Sequence, residues 1–391
     1  MLLTCYLLLT SFSGRGEGFC RAYSVFAVGY EACGWNPATL VLAPDYSFNI
    51  ATIGLEYNAN LRFSDYMRLS ELGYWSESDK EPLRNGEDLD FLGSAQAISF
   101  SYKNVGVMSY IYSHQAMTLP EEVASLIFWG NEVDSTYSLK GINGRSEIGL
   151  TTVLSAAHNI GGKDKIALGG SVKYIYGISY MGIDKSTGYL RTEFYSSDTP
   201  KIYGDGKIVS HYAEGGYGLG IDLGAFYTAG NYSLGVSILN VFSQMIWDAD
   251  AKTVEANFKL DPVDMETFDP ETDLVWETVE QVGAFSTVFE PQIDLSVGVK
   301  RQKFCLTVGS GYPRLFSIGG EMNYGVLLLR GGCSFEDKRL WMGFGVGVKR
   351  NALHIDTGIR LHSTSHLSGG LSISVIPEIQ KEKIKKSRVF R

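Results

Sequence analysis

The chain has 391 residues, 45% of them hydrophobic, with 45 glycines, 23 tyrosines and 10 prolines, and a net charge of −9. Mean hydropathy is −0.02, and no apolar run reaches the roughly 18 residues that a membrane-spanning helix needs. The acidic balance argues against a nucleic-acid surface. Glycine and tyrosine in excess suit curved sheets and interfacial belts, not a helical enzyme.

Residues 1–17 carry an apolar run from Leu2 to Phe12 followed by small residues, the layout of a secretory leader without its basic start. The five cysteines, Cys5, Cys20, Cys33, Cys305 and Cys333, include no CxxC pair and no zinc spacing. Whether Cys20 and Cys33 bridge or stay free is left open. From residue 18 to 44 the text is rich in small residues, without a clean period, and turns at Gly34-Trp35-Asn36-Pro37.

Trp35, Asn36, Pro37, Ala38 and Leu40 sit just after the leader and just before the first strand. In that position they resemble the W/Y-N-P-A-x-L pattern of outer-membrane barrels of the fatty-acid transporter (FadL) type and of the related PorV-like proteins. The resemblance implies that residues 18–45 form a plug at the periplasmic mouth, with Trp35, Asn36, Pro37 and Ala38 as its turn. The run Gly29-Tyr30-Glu31-Ala32-Cys33 departs from the group's usual small and acidic residues.

Alternating segments follow. Residues 48–57 and 61–69, 97–102 and 105–112, 147–157 and 166–176, and 216–228 and 232–240 read as hairpins with short polar connections. Residues 293–300, 304–309, 315–322, 326–335, 340–348, 353–361 and 367–376 continue the theme. Segment 216–228 is representative. Tyr217, Leu219, Ile221 and Leu223 make an apolar row, opposed by Gly218, Gly220, Asp222 and Gly224. Charged residues collect on the row opposite the aliphatic one: Lys173, Asp222, Asp294, Lys300, His354, Asp356 and Arg360. On a lipid face each Lys or Arg near the midplane would cost about 2–4 kcal/mol, whereas a wet lumen tolerates them.

These patterns predict an all-β fold, a transmembrane antiparallel β-barrel. Fifteen candidate strands give a fair range of 14 to 16, and the resemblance favours about 14. The barrel spans 46–376, with long inserts at 114–146, 177–214 and 248–290, and a basic tail at 377–391. Residues 119–134 in the first insert predict a helix, with Pro120 in its first turn and Glu121 and Glu122 at the positive end of its dipole. The acidic insert 248–290 suits divalent cations or a basic partner less well than the plain reading, a solvated loop. By this count the inserts follow even-numbered strands, which with a periplasmic N-terminus would put them in the periplasm. Barrels of the resembled group carry long loops outside, so the side stays open.

Residues 215–220 offer GxGxxG-like glycines, but the alternation runs straight through them. No GxSxG occurs. His362 and His366 are four apart across a turn, not on a helix. No catalytic, cofactor or metal residues are therefore assigned, and an enzyme is not expected. The resemblance implies a bacterial outer-membrane protein in contact with lipid, passing hydrophobic small molecules passively. The alternative within the same resemblance is a PorV-like barrel serving as a protein-secretion or surface-assembly partner.

Overall fold

The computed structural model describes residues 2–5, 13–62, 64–65, 68, 75–160, 165–194, 199–312, 314–336, 338–363 and 365–377. The strands in chain order are β1 (Leu2–Cys5), β2 (Tyr46–Asn58), β3 (Glu87–Tyr102), β4 (Val105–Leu119), β5 (Ser135–Ser138), β6 (Asn143–Ile160) and β7 (Lys165–Phe194). Next come β8 (Pro200–Ala213), β9 (Gly215–Ala229), β10 (Tyr232–Ala249), β11 (Lys252–Asp264), β12 (Leu274–Val282) and β13 (Phe285–Phe289). The last are β14 (Gln292–Lys300), β15 (Phe304–Tyr312), β16 (Arg314–Tyr324), β17 (Leu327–Glu336), β18 (Arg339–Arg350), β19 (Leu353–Ser363) and β20 (His366–Val375).

Fourteen of these close an antiparallel barrel. The wall runs β2, β3, β4, β6, β7, β9, β10 and then β14 through β20. The last strand pairs with the first, β20 with β2. Closure leaves no free edge in the wall, which is what a sheet needs where no water can satisfy its backbone. The alternation places side chains as expected. On β9, Tyr217, Leu219, Ile221 and Leu223 face outward and exposed, while Gly218, Gly220 and Asp222 face in.

One candidate strand is not a strand. Residues 64, 65 and 68 are helical, and residues 63, 66–67 and 69 lie outside the described ones. Leu61 instead packs with Leu83, Trp75 and Phe128 in a small satellite cluster. Removing that one segment shifts the parity of every later strand. The segment between β2 and β3 and the inserts at 114–146, 177–214 and 248–290 then follow the first, third, fifth and seventh wall strands, β2, β4, β7 and β10. All four emerge at the end opposite the one where the wall begins and ends.

Nor are the inserts mainly loops. In 114–146, β4 runs on to Leu119, a helix spans Glu121–Trp129, and β5 and β6 follow. Pro120 is the residue capping that helix, one place before its first turn. In 177–214, β7 continues past the wall to Phe194 and β8 returns alongside it. In 248–290, β11 pairs β8 and β12 pairs β11, so the acidic segment is sheet. The physical reason is pairing: β7 leaves β9 behind after Gly177, and its exposed upper half takes β8 as a new neighbour. β13 folds back on the upper half of β10, and β1 lies parallel to β13. The tail from residue 378 onward, and residues 1 and 6–12 of the stretch read as leader, lie outside the described residues.

Candidate functional site

Residues 13–44 fill the barrel interior as short turns of helix: Gly14–Gly18, Gly29–Glu31, Ala32–Trp35 and Pro37–Leu42. This plug therefore starts within the stretch 1–17 read as leader. Ser13 caps the first turn, its Oγ accepting from Gly16 N at 2.9 Å. Phe19, Tyr23, Trp35 and Phe26 pack on one another, with Tyr23 edge-on to Trp35 at 5.6 Å between centroids.

The turn Trp35, Asn36, Pro37, Ala38 is buried against the wall. Asn36 is extended and caps the turn that follows: its Oδ1 accepts from Ala38 N at 3.0 Å, with Pro37 in the first-turn position where no N–H is needed. Its Nδ2 donates to the carbonyls of Ala225 on β9 and Val236 on β10, at 3.3 and 3.4 Å. Glycine on the wall makes this approach possible. A Cβ on Gly169 would stand 2.5 Å from the Pro37 carbonyl carbon, and one on Gly224 would overlap Asn36. Similar contacts recur around the circumference: Gly319, Gly332 and Gly343 meet Phe19 and Cys20, and Gly358 meets Gly14. The plug thus presses backbone to backbone on the wall.

Charges hold it there. Arg15 Nη1 pairs with Glu31 and Arg15 Nη2 with Asp356 of β19, each at 3.0 Å, and Nη2 also donates to His354 Nδ1 at 3.0 Å. Arg330 of β17 joins Asp356 at 2.6 Å and Glu321 at 2.8 Å. Arg21 pairs with Glu17 at 3.2 Å and with Glu56 of β2. Arg360 pairs with Glu336 at 2.5 Å, Glu56 at 3.3 Å and Glu17 at 3.5 Å. Four arginines and six carboxylates thus link the plug to β2, β16, β17 and β19. Burial lowers the pKa of the Arg15 guanidinium, but Asp356 and Glu31 outweigh it and hold it above its usual value. Burial also raises the Glu31 carboxyl, against the pull of Arg15.

Of the seven residues placed on the inner register by sequence, six are buried inside. Lys173 and Asp222 pair at 2.8 Å on neighbouring β7 and β9, and Lys173 also donates to Asn240 Oδ1 at 2.7 Å. Asn240 sits at φ 56° where the β9–β10 register breaks, and its N–H donates to Asp222 at 2.8 Å. Asp294 accepts from Ser24 of the plug at 2.5 Å. His354, Asp356 and Arg360 belong to the plug network. Lys300 is the exception: it has the inward parity but ends β14 at the rim, exposed. Sequence reading missed Arg15, Glu17, Arg21 and Glu31, which lie in the plug, Glu321 and Glu336 of β16 and β17, and Glu56 and Arg330. The last two follow the same parity rule beside Leu55 and Leu329, so the register could have found them.

Above the plug the lumen is packed with apolar side chains. Tyr30, Cys33 and Leu40 of the plug join Tyr110, Tyr112, Ile175, Tyr180, Met245, Trp247, Phe285 and Phe289 in one buried cluster. Tyr180 lies 5.2 Å from Trp247 and 5.1 Å from Phe285, centroid to centroid. Trp247 Nε1 donates to Thr287 Oγ1 at 3.1 Å. An apolar column thus rises from the plug to the end that carries the extension. Cys20 and Cys33 are free and buried, Cys20 beside Ser334 and Cys33 beside Gly106.

The closed fourteen-strand antiparallel barrel is the fold of the FadL-type outer-membrane hydrocarbon transporters. The chain belongs to a family of unknown function, DUF5723, whose model matches residues 42–302. No curated protein sequence matches it. Among solved structures it is similar to the toluene transporter TbuX of Ralstonia pickettii, at 12% identity and a TM-score of 0.56, covering 95% of this chain and 99% of that one. It is also similar to the toluene transporter TodX of Pseudomonas putida, at 11% identity and a TM-score of 0.53, covering 94% and 98%. A Pseudomonas aeruginosa FadL homologue gives 10% identity and a TM-score of 0.52, covering 95% and 98%. The secretion-partner reading finds no support among these structures.

Proposed function

We propose that the protein is a plugged barrel of the bacterial outer membrane that lets hydrophobic small molecules pass passively. The observation that carries this reading is the buried apolar column, from Tyr30, Cys33 and Leu40 through Tyr110 to Trp247 and Phe285, standing directly on the plug. An apolar solute partitions into such a column without the desolvation cost a polar one would meet. The toluene transporters that share the fold support the same solute class. The reaction class is passage, with no bond made or broken. As folded, the column is filled by its own side chains and closed by the plug, so passage requires both to move.

The test is uptake of radiolabelled toluene by cells lacking their own hydrophobic-compound channel. Expression of this protein should raise the initial rate, and Gly177→Leu, which drives a side chain into Met245 and Trp247, should lower it while the barrel still migrates as folded before boiling. Rates equal to empty-vector cells would overturn the reading. Fractionation tests the location: the protein should be found with the outer membrane and shift in mobility on boiling.

A further inference from the structure

At the far end of the insert that follows β10 lies an edge unlike any in the wall. β12 pairs with β11 through nine consecutive residue pairs without a bulge, from Leu274 opposite Leu260 to Val282 opposite Lys252. Among the described residues nothing pairs with its other side. Every second residue of such a strand turns its N–H and C=O away from its one neighbour. Val275, Trp276, Val279 and Val282 are exposed, Val282 by 88%. Proteins usually blunt an edge of this length with Lys, Pro, a bulge or a covering segment. Among the described residues β12 has no Lys, Pro, bulge or covering segment, and its only charges are the carboxylates of Glu277 and Glu280.

Its own charges are all acidic: Glu277 is exposed, and Glu280 is already shared with Lys252 of β11 at 3.4 Å. Between Lys259 and Lys300 the chain has no Lys or Arg, yet it carries Glu271, Asp273, Glu277 and Glu280 on and just before the strand. Glu277 shares one face with Val275 and Val279. Glu280 shares the other with Trp276 and Val282.

We propose that β12 is a docking edge for an extended, basic segment of another protein, which adds as the next strand of the β7–β8–β11–β12 sheet. Main-chain hydrogen bonds would give affinity, and the alternating side chains would give selection. The partner strand would carry Lys or Arg opposite both Glu277 and Glu280. Those two positions are three apart, so its two cations point to opposite faces. Apolar residues between them would cover Val275, Val279 and Trp276. A second copy of this chain fits worse. Antiparallel pairing centred on Thr278 would set Glu277 diagonal to its own counterpart, and like charges on one face repel.

The probe is a fluorescein-labelled nine-residue peptide of alternating valine and threonine, with two lysines three positions apart. Its binding to the full-length barrel in detergent is read by anisotropy. The expected result is saturable binding that weakens by at least about tenfold when the protein carries Glu277→Lys with Glu280→Lys. Replacing the peptide's lysines with glutamate should restore binding to that variant. N-methylation at alternate peptide nitrogens should abolish binding to the native protein. Each variant is checked for the folded mobility before boiling, so loss of binding is separated from loss of fold. Absence of binding by the basic peptide, binding indifferent to charge reversal or N-methylation, or a dimer in sedimentation that Val279→Pro dissolves would each overturn the proposal. Toluene uptake is not part of this readout, so the two proposals fail separately.

Discussion

Arg15 and Asp356 are 341 positions apart in the chain and 3.0 Å apart in the fold. The first is in the plug and the second in β19. Both are buried, and each has a second ionic partner, Glu31 for Arg15 and Arg330 for Asp356. Removing one member of a buried pair leaves an uncompensated charge, which costs about 3–5 kcal/mol. Arg15→Ala should therefore loosen the plug while the wall stays closed. The check is single-channel conductance in planar bilayers: the variant should show openings the native protein lacks. The double variant with Asp356→Asn should cost less than the sum of the two single ones.

Processing offers a second test. Arg15 and Glu17 are both buried in ion pairs with the wall or the rest of the plug. Removal of residues 1–17 would delete both and leave Asp356 and Arg360 each short of a partner. If a leader is cleaved, the cut is expected before Ser13. Mass spectrometry of protein purified from membranes reads this directly, and a mature chain starting at Gly18 would contradict it.

Neighbouring glycines on β7 make a matched pair. A Cβ on Gly169 meets the plug backbone at Pro37 and Ala38, whereas one on Gly170 has nothing nearer than 3.6 Å. Gly169→Ala should destabilise the folded barrel by about 1–3 kcal/mol, as overpacking against backbone does. Gly170→Ala should be near neutral. The midpoint temperature of the gel-mobility shift compares them. Equal midpoints would mean the plug does not press on β7.

Burial pushes the Cys20 thiol up to about 11 and the Cys33 thiol up to about 12. Thiols held protonated and out of reach do not react. Neither should take a maleimide at pH 7 in the folded protein, and both should label after boiling, without any reductant. A requirement for reductant would mean a bridge.

In the extension beyond the wall, burial lowers the pKa of His211 below its ordinary 6.5, only partly offset by Asp184. Its Nδ1 is hydrogen-bonded with Thr253 Oγ1 at 2.9 Å, and its ring packs on Phe285 at 5.0 Å. The unfolded imidazole takes up a proton near 6.5 while the folded one resists, so the unfolded state binds more protons and stability falls as pH drops. The contribution is complete above 6.5 and lost as pH falls through the folded value. Protease nicking of β8 and β11 should rise between pH 7 and pH 5. His211→Asn should flatten that rise.

Much of the wall was legible because a strand has period two and a bilayer punishes the wrong face. Asp222, Asp356 and Arg360 could be placed on the inner side from Leu219, Ile355 and Ile359 alone. The same rule failed at residues 61–69. There the alternation arises by chance, Leu61 is buried in a satellite cluster with Leu83, Trp75 and Phe128, and that one false strand shifted the parity of every insert. The upper half of β7 and the strands β8, β11 and β12 were read as loops because they stand above the apolar band. Without lipid on one face nothing forces their alternation. The pairs that tie the plug to the wall were illegible for another reason: Arg15 meets Asp356, Glu17 meets Arg360 and Arg21 meets Glu56, and no local spacing records those contacts.

The pairing of β20 with β2 also sets the order in which the molecule can be built. The seam joins the last wall strand to the first, so the ring cannot close until about 330 residues have been delivered and arranged. The plug emerges before any of them. Once the ring is shut, its backbone is locked against wall glycines and its arginines are engaged on several sides, leaving no clearance for it to thread in from either mouth. The growing sheet must therefore curl around a plug already in place, which then serves as the mandrel on which the cylinder is wound.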